Sequence, residues 1–74
     1  MKADPYLKPV YDRLLRRGIW QTYGMCRRHV PRIMTELGIP RFNDDGLPRV
    51  LSVEDIERIV LAAEQETNWK QPNL

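Results

Sequence analysis

The sequence predicts a mainly α-helical domain of three to four short helices with one small β-hairpin. Three observations lead there. Apolar residues recur at helical spacing in separate stretches, glycine and proline punctuate those stretches at short intervals, and an Asp45-Gly46 step divides two short runs of apolar and basic residues. The chain has 74 residues, enough for one core and too few for two or for a large substrate cleft. A single cysteine, Cys26, and a single histidine, His29, exclude an internal disulfide and a Cys/His zinc site, so packing alone must hold the domain.

The first helix is expected to begin near Pro5 or Pro9 and to end at Gly18, a residue suited to the position just past a helix end. Val10, Tyr11, Leu14 and Leu15 form its apolar stripe, and Arg13, Arg16 and Arg17 spread over its outer side. Ile19-Trp20-Gln21 then leads to Thr22, an N-cap for a second helix of roughly Tyr23 to His29. Pro31 lacks a donor and crowds the preceding turn, so the economical reading breaks the chain near Val30 and opens a third helix at Pro31. That helix runs to Leu37 with Ile33, Met34 and Leu37 inward, and Gly38 ends it before Ile39-Pro40. Two short helices about a tight turn make a helix-turn-helix outline; one kinked helix from Thr22 to Leu37 is the alternative.

Asp44-Asp45-Gly46 between Ile39-Pro40-Arg41-Phe42-Asn43 and Leu47-Pro48-Arg49-Val50-Leu51 is a strong short-range hairpin signal. Pro40 and Pro48 cannot donate to a ladder, so this hairpin is short and edge-like, a wing-sized ribbon. Ser52 with Asp55 resembles a capping box for a last helix of about Val53 to Glu66, whose Val53, Ile56, Ile59, Val60 and Ala63 fall at helical spacing. The predicted class is thus a single winged helix-turn-helix domain over residues 1–68, followed by a tail over 69–74 from which Trp69 folds back onto the body or runs free. No run of about 18 apolar residues occurs, and a cytoplasmic setting is expected.

Charge is unevenly divided. Residues 1–43 carry nine bases against three acids, a net +6, whereas residues 44–74 carry three bases against seven acids, a net −4. Nine of the twelve bases are arginine, the side chain suited to bidentate phosphate and base contacts. Such asymmetry points to an anionic partner, with mutual attraction of the two halves inside the fold as the plainer account.

Catalysis is poorly supplied, and the chain is not expected to be an enzyme. Cys26 and His29 lie at i, i+3 with no supporting acid close by in sequence, there is no Gly-rich phosphate loop, and Glu54, Asp55 and Glu57 at a helix start fit capping better than a metal. No cofactor or metal is implied. Nucleic-acid binding is better supplied. On a recognition helix opened by Pro31, Arg32 and Thr35 point outward, Arg32 toward a guanine edge and Thr35 toward a base or phosphate. Arg27 and Arg28 then approach backbone phosphate, and Arg41, Asn43 and Arg49 ride on the wing. Arg13, Arg16, Arg17 and His29 are further candidate contacts.

The run Ile19-Trp20-Gln21-Thr22-Tyr23-Gly24-Met25-Cys26-Arg27-Arg28-His29-Val30-Pro31-Arg32-Ile33-Met34-Thr35-Glu36-Leu37-Gly38-Ile39-Pro40, the Asp-Gly hairpin and Leu51-Ser52-Val53-Glu54-Asp55-Ile56 resemble the small winged-helix modules of phage excisionases and MerR-type regulators. The resemblance covers about residues 19–62. It implies a DNA-binding accessory protein, monomeric or dimeric on double-stranded DNA, that bends or regulates it, with an integrase, polymerase or other protein as partner. Gly24, where a better helix former is expected, and the basic first helix depart from that pattern. The competing reading is a protein-interaction module, such as a small phage inhibitor or adaptor, anchored by Trp20, Trp69 and tyrosines.

Overall fold

The computed structural model describes residues 4–70, as three helices in the order α1 (Asp4–Arg16), α2 (Tyr23–Leu37) and α3 (Val53–Lys70). Each packs on the other two. Their shared core holds Leu7, Val10, Tyr11 and Leu14 from α1, Cys26, Val30, Ile33 and Met34 from α2, and Ile59, Val60 and Ala63 from α3. Trp20, Ile39 and Leu51, from the connections, complete it.

Local chemistry sets most boundaries. Gly18 (φ 71°) and Gly38 (φ 76°) take the left-handed conformation that other residues resist, and each ends its helix in a Schellman arrangement. At α1 the Ile19 N–H donates to the Leu14 carbonyl (3.1 Å), and at α2 the Ile39 N–H donates to the Met34 carbonyl (2.9 Å). Thr22 Oγ1 accepts from the Met25 N–H (3.1 Å), and Ser52 Oγ accepts from the Asp55 N–H (3.1 Å), so both expected N-caps form. The capping box is only half built, because Asp55 turns its carboxylate to Arg49 (3.4 Å).

Two features of the predicted class are overturned. The segment from Thr22 onward is not a helix, a turn and a second helix: α2 runs unbroken through Pro31. An interior proline removes one ladder bond and costs about 3 kcal/mol. Against this stands one apolar stripe, Cys26, Val30, Ile33 and Met34 with half-buried Leu37, which lies on both sides of Pro31 and stays on one face only if the helix continues. Burial of each large member contributes roughly 1.5–3 kcal/mol, so the stripe outweighs the proline. Leu7, Val10, Tyr11 and Leu14 carry α1 through Pro9 in the same way.

The expected β-hairpin wing is also absent as a strand pair. Residues 38–52 form a loop that holds one isolated antiparallel bridge, Phe42 to Pro48, and no strand occurs among the described residues. The turn itself is as expected: the Gly46 N–H donates to the Asn43 carbonyl (2.9 Å), and the Asn43 N–H to the Leu47 carbonyl (2.7 Å). One further bond, from the Arg49 N–H to the Arg41 carbonyl (2.9 Å), extends it. With proline at 40 and 48 the ladder has too few donors to grow. The fold is therefore helical as predicted, but it is a three-helix domain and not a winged helix-turn-helix. α3 also runs four residues past the expected Glu66. The Trp69 side chain and residues 71–74 of the expected tail lie outside the described residues.

A continuous α2 predicts that Pro31→Ala stabilises the domain by about 1–3 kcal/mol, since it restores a helical donor at the cost of some half-buried ring surface. Urea unfolding followed by circular dichroism checks this. A neutral or destabilising result would instead place Pro31 at the start of a separate helix, where its ring is well suited.

Candidate nucleic-acid interface

Residues 24, 28, 31 and 35 follow the i, i+4, i+7, i+11 spacing of one helical face, opposite the buried stripe of α2. Gly24, Arg28 and Thr35 are exposed there, with Arg27 on its edge, and Pro31 is half-buried. The first turn of α2 carries no acid to oppose an approaching anion. Arg28 borders a shallow groove with Thr22, Gly24, Met25 and His29. Thr35 donates its hydroxyl to the Pro31 carbonyl (3.0 Å), leaving the oxygen as an acceptor.

The other expected contacts are mostly engaged inside the molecule. Helical projection puts Glu57 and Glu64 on one flank of the apolar face of α3, and Asp55 and Glu66 on the other. Arg13 donates to Glu57 (2.8 Å) and Arg17 to Glu64 (2.9 Å), tying α1 to the first flank. Arg32 reaches Glu66 (2.7 Å) and Arg49 reaches Asp55 (3.4 Å), tying α2 and the loop to the second. Three of the nine bases of residues 1–43 thus pair with the acidic helix, as does Arg49 from the loop.

Arg32, although exposed, meets three side-chain acceptors. Besides Glu66, its guanidinium donates to Glu36 (3.2 Å) and to His29 Nδ1 (3.3 Å). Because arginine only donates, that ring nitrogen must be the acceptor and the neutral imidazole carries its proton on Nε2. Glu66, with Glu36, holds the Arg32 guanidinium still further into its charged form. His29 itself stacks on Trp20, with ring centroids 4.8 Å apart and planes at 23°.

Arg49 is not a wing-tip contact. Half-buried, it donates to the Pro40 carbonyl (2.6 Å) as well as to Asp55, and so braces the two ends of the loop. Arg41 and Asn43 are exposed on that loop, Arg41 with its guanidinium 5.7 Å from the centre of the Phe42 ring. Arg16 and Arg28 are exposed and take part in none of these ion pairs. The structure therefore gathers Arg27, Arg28, Pro31 and Thr35 on one face, sets Arg41 and Asn43 on the loop beyond its end, and assigns Arg13, Arg17, Arg32 and Arg49 to internal pairs.

Arg58 was missing from the expected set. Its guanidinium donates to the Leu37 carbonyl (3.2 Å), satisfying the end of α2 from another helix. The last turn of α2 has no base of its own, which is the one sequence signal that a donor from elsewhere was needed.

Cys26 is completely buried in the core, while His29 faces Trp20 and Arg32. No group of three His, Cys, Asp or Glu able to hold a metal occurs among the described residues, and no described helix is long and apolar enough to cross a membrane. No protein-family model, curated protein or solved structure matches this chain.

Burial pushes the Cys26 thiol up from its ordinary value, and its backbone hydrogen bond offsets only part of that rise. The unfolded chain then ionises first as pH rises, so the thiol's contribution is complete below its unfolded pKa and is lost through the alkaline range above it. Urea unfolding between neutral and alkaline pH should show a fall in stability that is shallower in Cys26→Ala. An identical slope in both proteins would show that the thiol does not contribute.

Proposed function

We propose that this protein binds double-stranded DNA through the outer face of α2, as a small accessory or regulatory protein and not as an enzyme. The reading is carried by one observation: the net +6 of residues 1–43 includes Arg27 and Arg28 on an exposed helical face, and Thr35 on that face adds a hydroxyl. Arg28 and Arg27 supply phosphate contacts, which position the protein without reading sequence. Arg41 adds cationic reach beyond the end of the face, and the amides of the α2 N-terminus favour an anion there. The likeness of the Ile19 to Pro40 run and of the Ser52 cap to excisionase-type and MerR-type modules supports a role beside an integrase or polymerase in the cytoplasm. Its wing does not enter this proposal.

A second reading has its own observation. Leu47, Val50, Val53 and Leu61 are 49%, 78%, 70% and 54% exposed, more apolar surface than binding to phosphate would use. It favours a protein-interaction module.

Fluorescence polarisation on duplex DNA separates the two. A phosphate-binding face predicts an affinity that falls steeply between about 50 and 200 mM salt. Arg28→Ala should weaken all duplexes alike and lower the salt slope by about one contact. Absence of duplex binding at low salt removes the proposal and leaves the interaction module.

A further inference from the structure

We infer that Glu66 is a guard carboxylate that keeps Arg32 from making a two-point contact with a nucleic acid, so that the acidic helix α3 sets how tightly the α2 face grips its partner. The inference rests on the DNA-binding reading above and concerns how that same face is regulated.

Donor bookkeeping on one guanidinium leads to it. Arginine carries five N–H donors, arranged as two parallel pairs, one formed by Nε and Nη2 and the other by Nη1 and Nη2. Both pairs need Nη2. In Arg32 the two Nη2 hydrogens go to Glu66 Oε1 (2.7 Å) and to His29 Nδ1 (3.3 Å), and Nη1 donates to Glu36 Oε2 (3.2 Å). The Nε–H and a second Nη1 hydrogen remain, but neither has its parallel partner. Arg32 can attract an anion in this state, yet it cannot fork onto a phosphate or onto the O6 and N7 of a guanine. Letting go of Glu66 returns a hydrogen to Nη2, the nitrogen that both pairs share.

The release is accessible because the pair lies at the surface. The Arg32 side chain is 43% exposed and that of Glu66 25%. A phosphate can replace one carboxylate, and the contact with α3 is then exchanged, not simply lost. Glu36 is a weaker guard: it lies on α2 itself and occupies only Nη1. Trp20 stacks on His29 and so steadies the second Nη2 acceptor, which makes Glu66 the member of the set that must leave first.

The test compares three proteins by fluorescence polarisation on one duplex at fixed low salt: the wild type, Glu66→Ala and Glu54→Ala. Glu54 is exposed in the first turn of α3, outside the ion pairs, and its loss controls for the removal of one negative charge. Guarding predicts that Glu66→Ala binds up to about fivefold more tightly than Glu54→Ala, the scale of a partly exposed ion pair. It also predicts that a fourth protein, in which Arg32→Ala is added to Glu66→Ala, loses the gain. Equal affinities for the two single variants, or a gain that survives Arg32→Ala, overturn the guard and leave the DNA reading standing. Failure of all three proteins to bind, each giving a native circular dichroism spectrum, removes the reading and the guard with it.

Discussion

Everything in this small domain depends on α3 meeting two demands at once. Its inner face closes the core with Ile59, Val60 and Ala63, and its flanks carry the carboxylates that receive Arg13, Arg17, Arg32 and Arg49. The two demands differ in size. Burying the larger of those side chains contributes roughly 1.5–3 kcal/mol apiece, while an exposed ion pair contributes about 0–1 kcal/mol. Packing therefore attaches the helix. The ion pairs lower the self-repulsion of a half that carries nine bases.

The same arrangement sorts the arginines. Arg13, Arg17 and Arg32 meet carboxylates of α3, and Arg28 takes part in none of these pairs. Arg28 is exposed, and Arg32, four residues further along, is also exposed but paired to a helix that begins sixteen residues after α2 ends. A weak net charge of +2 thus conceals a surface on which some arginines are paired to α3 and others, Arg16 and Arg28 among them, are exposed outside those pairs.

Much of the fold was legible because the signals are local. Gly18 and Gly38 end their helices, and Thr22 and Ser52 cap theirs, through contacts within a few residues of chain. The continuity of α2 is equally present in the spacing of Cys26, Val30, Ile33 and Met34, but Pro31 locally signals a break, and the value of the stripe appears only on packing. The hairpin failed for a related reason: Asp45-Gly46 predicted the turn correctly, and Pro40 and Pro48 then denied it strands. Partner choice among the charges was the least legible. Arg13 with Glu57, Arg17 with Glu64 and Arg32 with Glu66 are 44, 47 and 34 residues apart, and nothing in the spacing of either member names the other. Sequence spacing alone therefore makes the candidate face too large, since Arg32 and Arg49 are held by Glu66 and Asp55.

The closure of the basic half by α3 has a sign that solution measurement can read. Urea unfolding at neutral pH, repeated as sodium chloride rises from about 0.02 to 0.2 M, shortens the Debye length and weakens exposed charge interactions of both kinds. If the arginines are neutralised by Glu57, Glu64, Glu66 and Asp55 as described, attraction dominates and the unfolding midpoint falls as salt is added. A midpoint that rises with salt would mean that repulsion within the basic half dominates, and would contradict the account of α3 as its counter-charge.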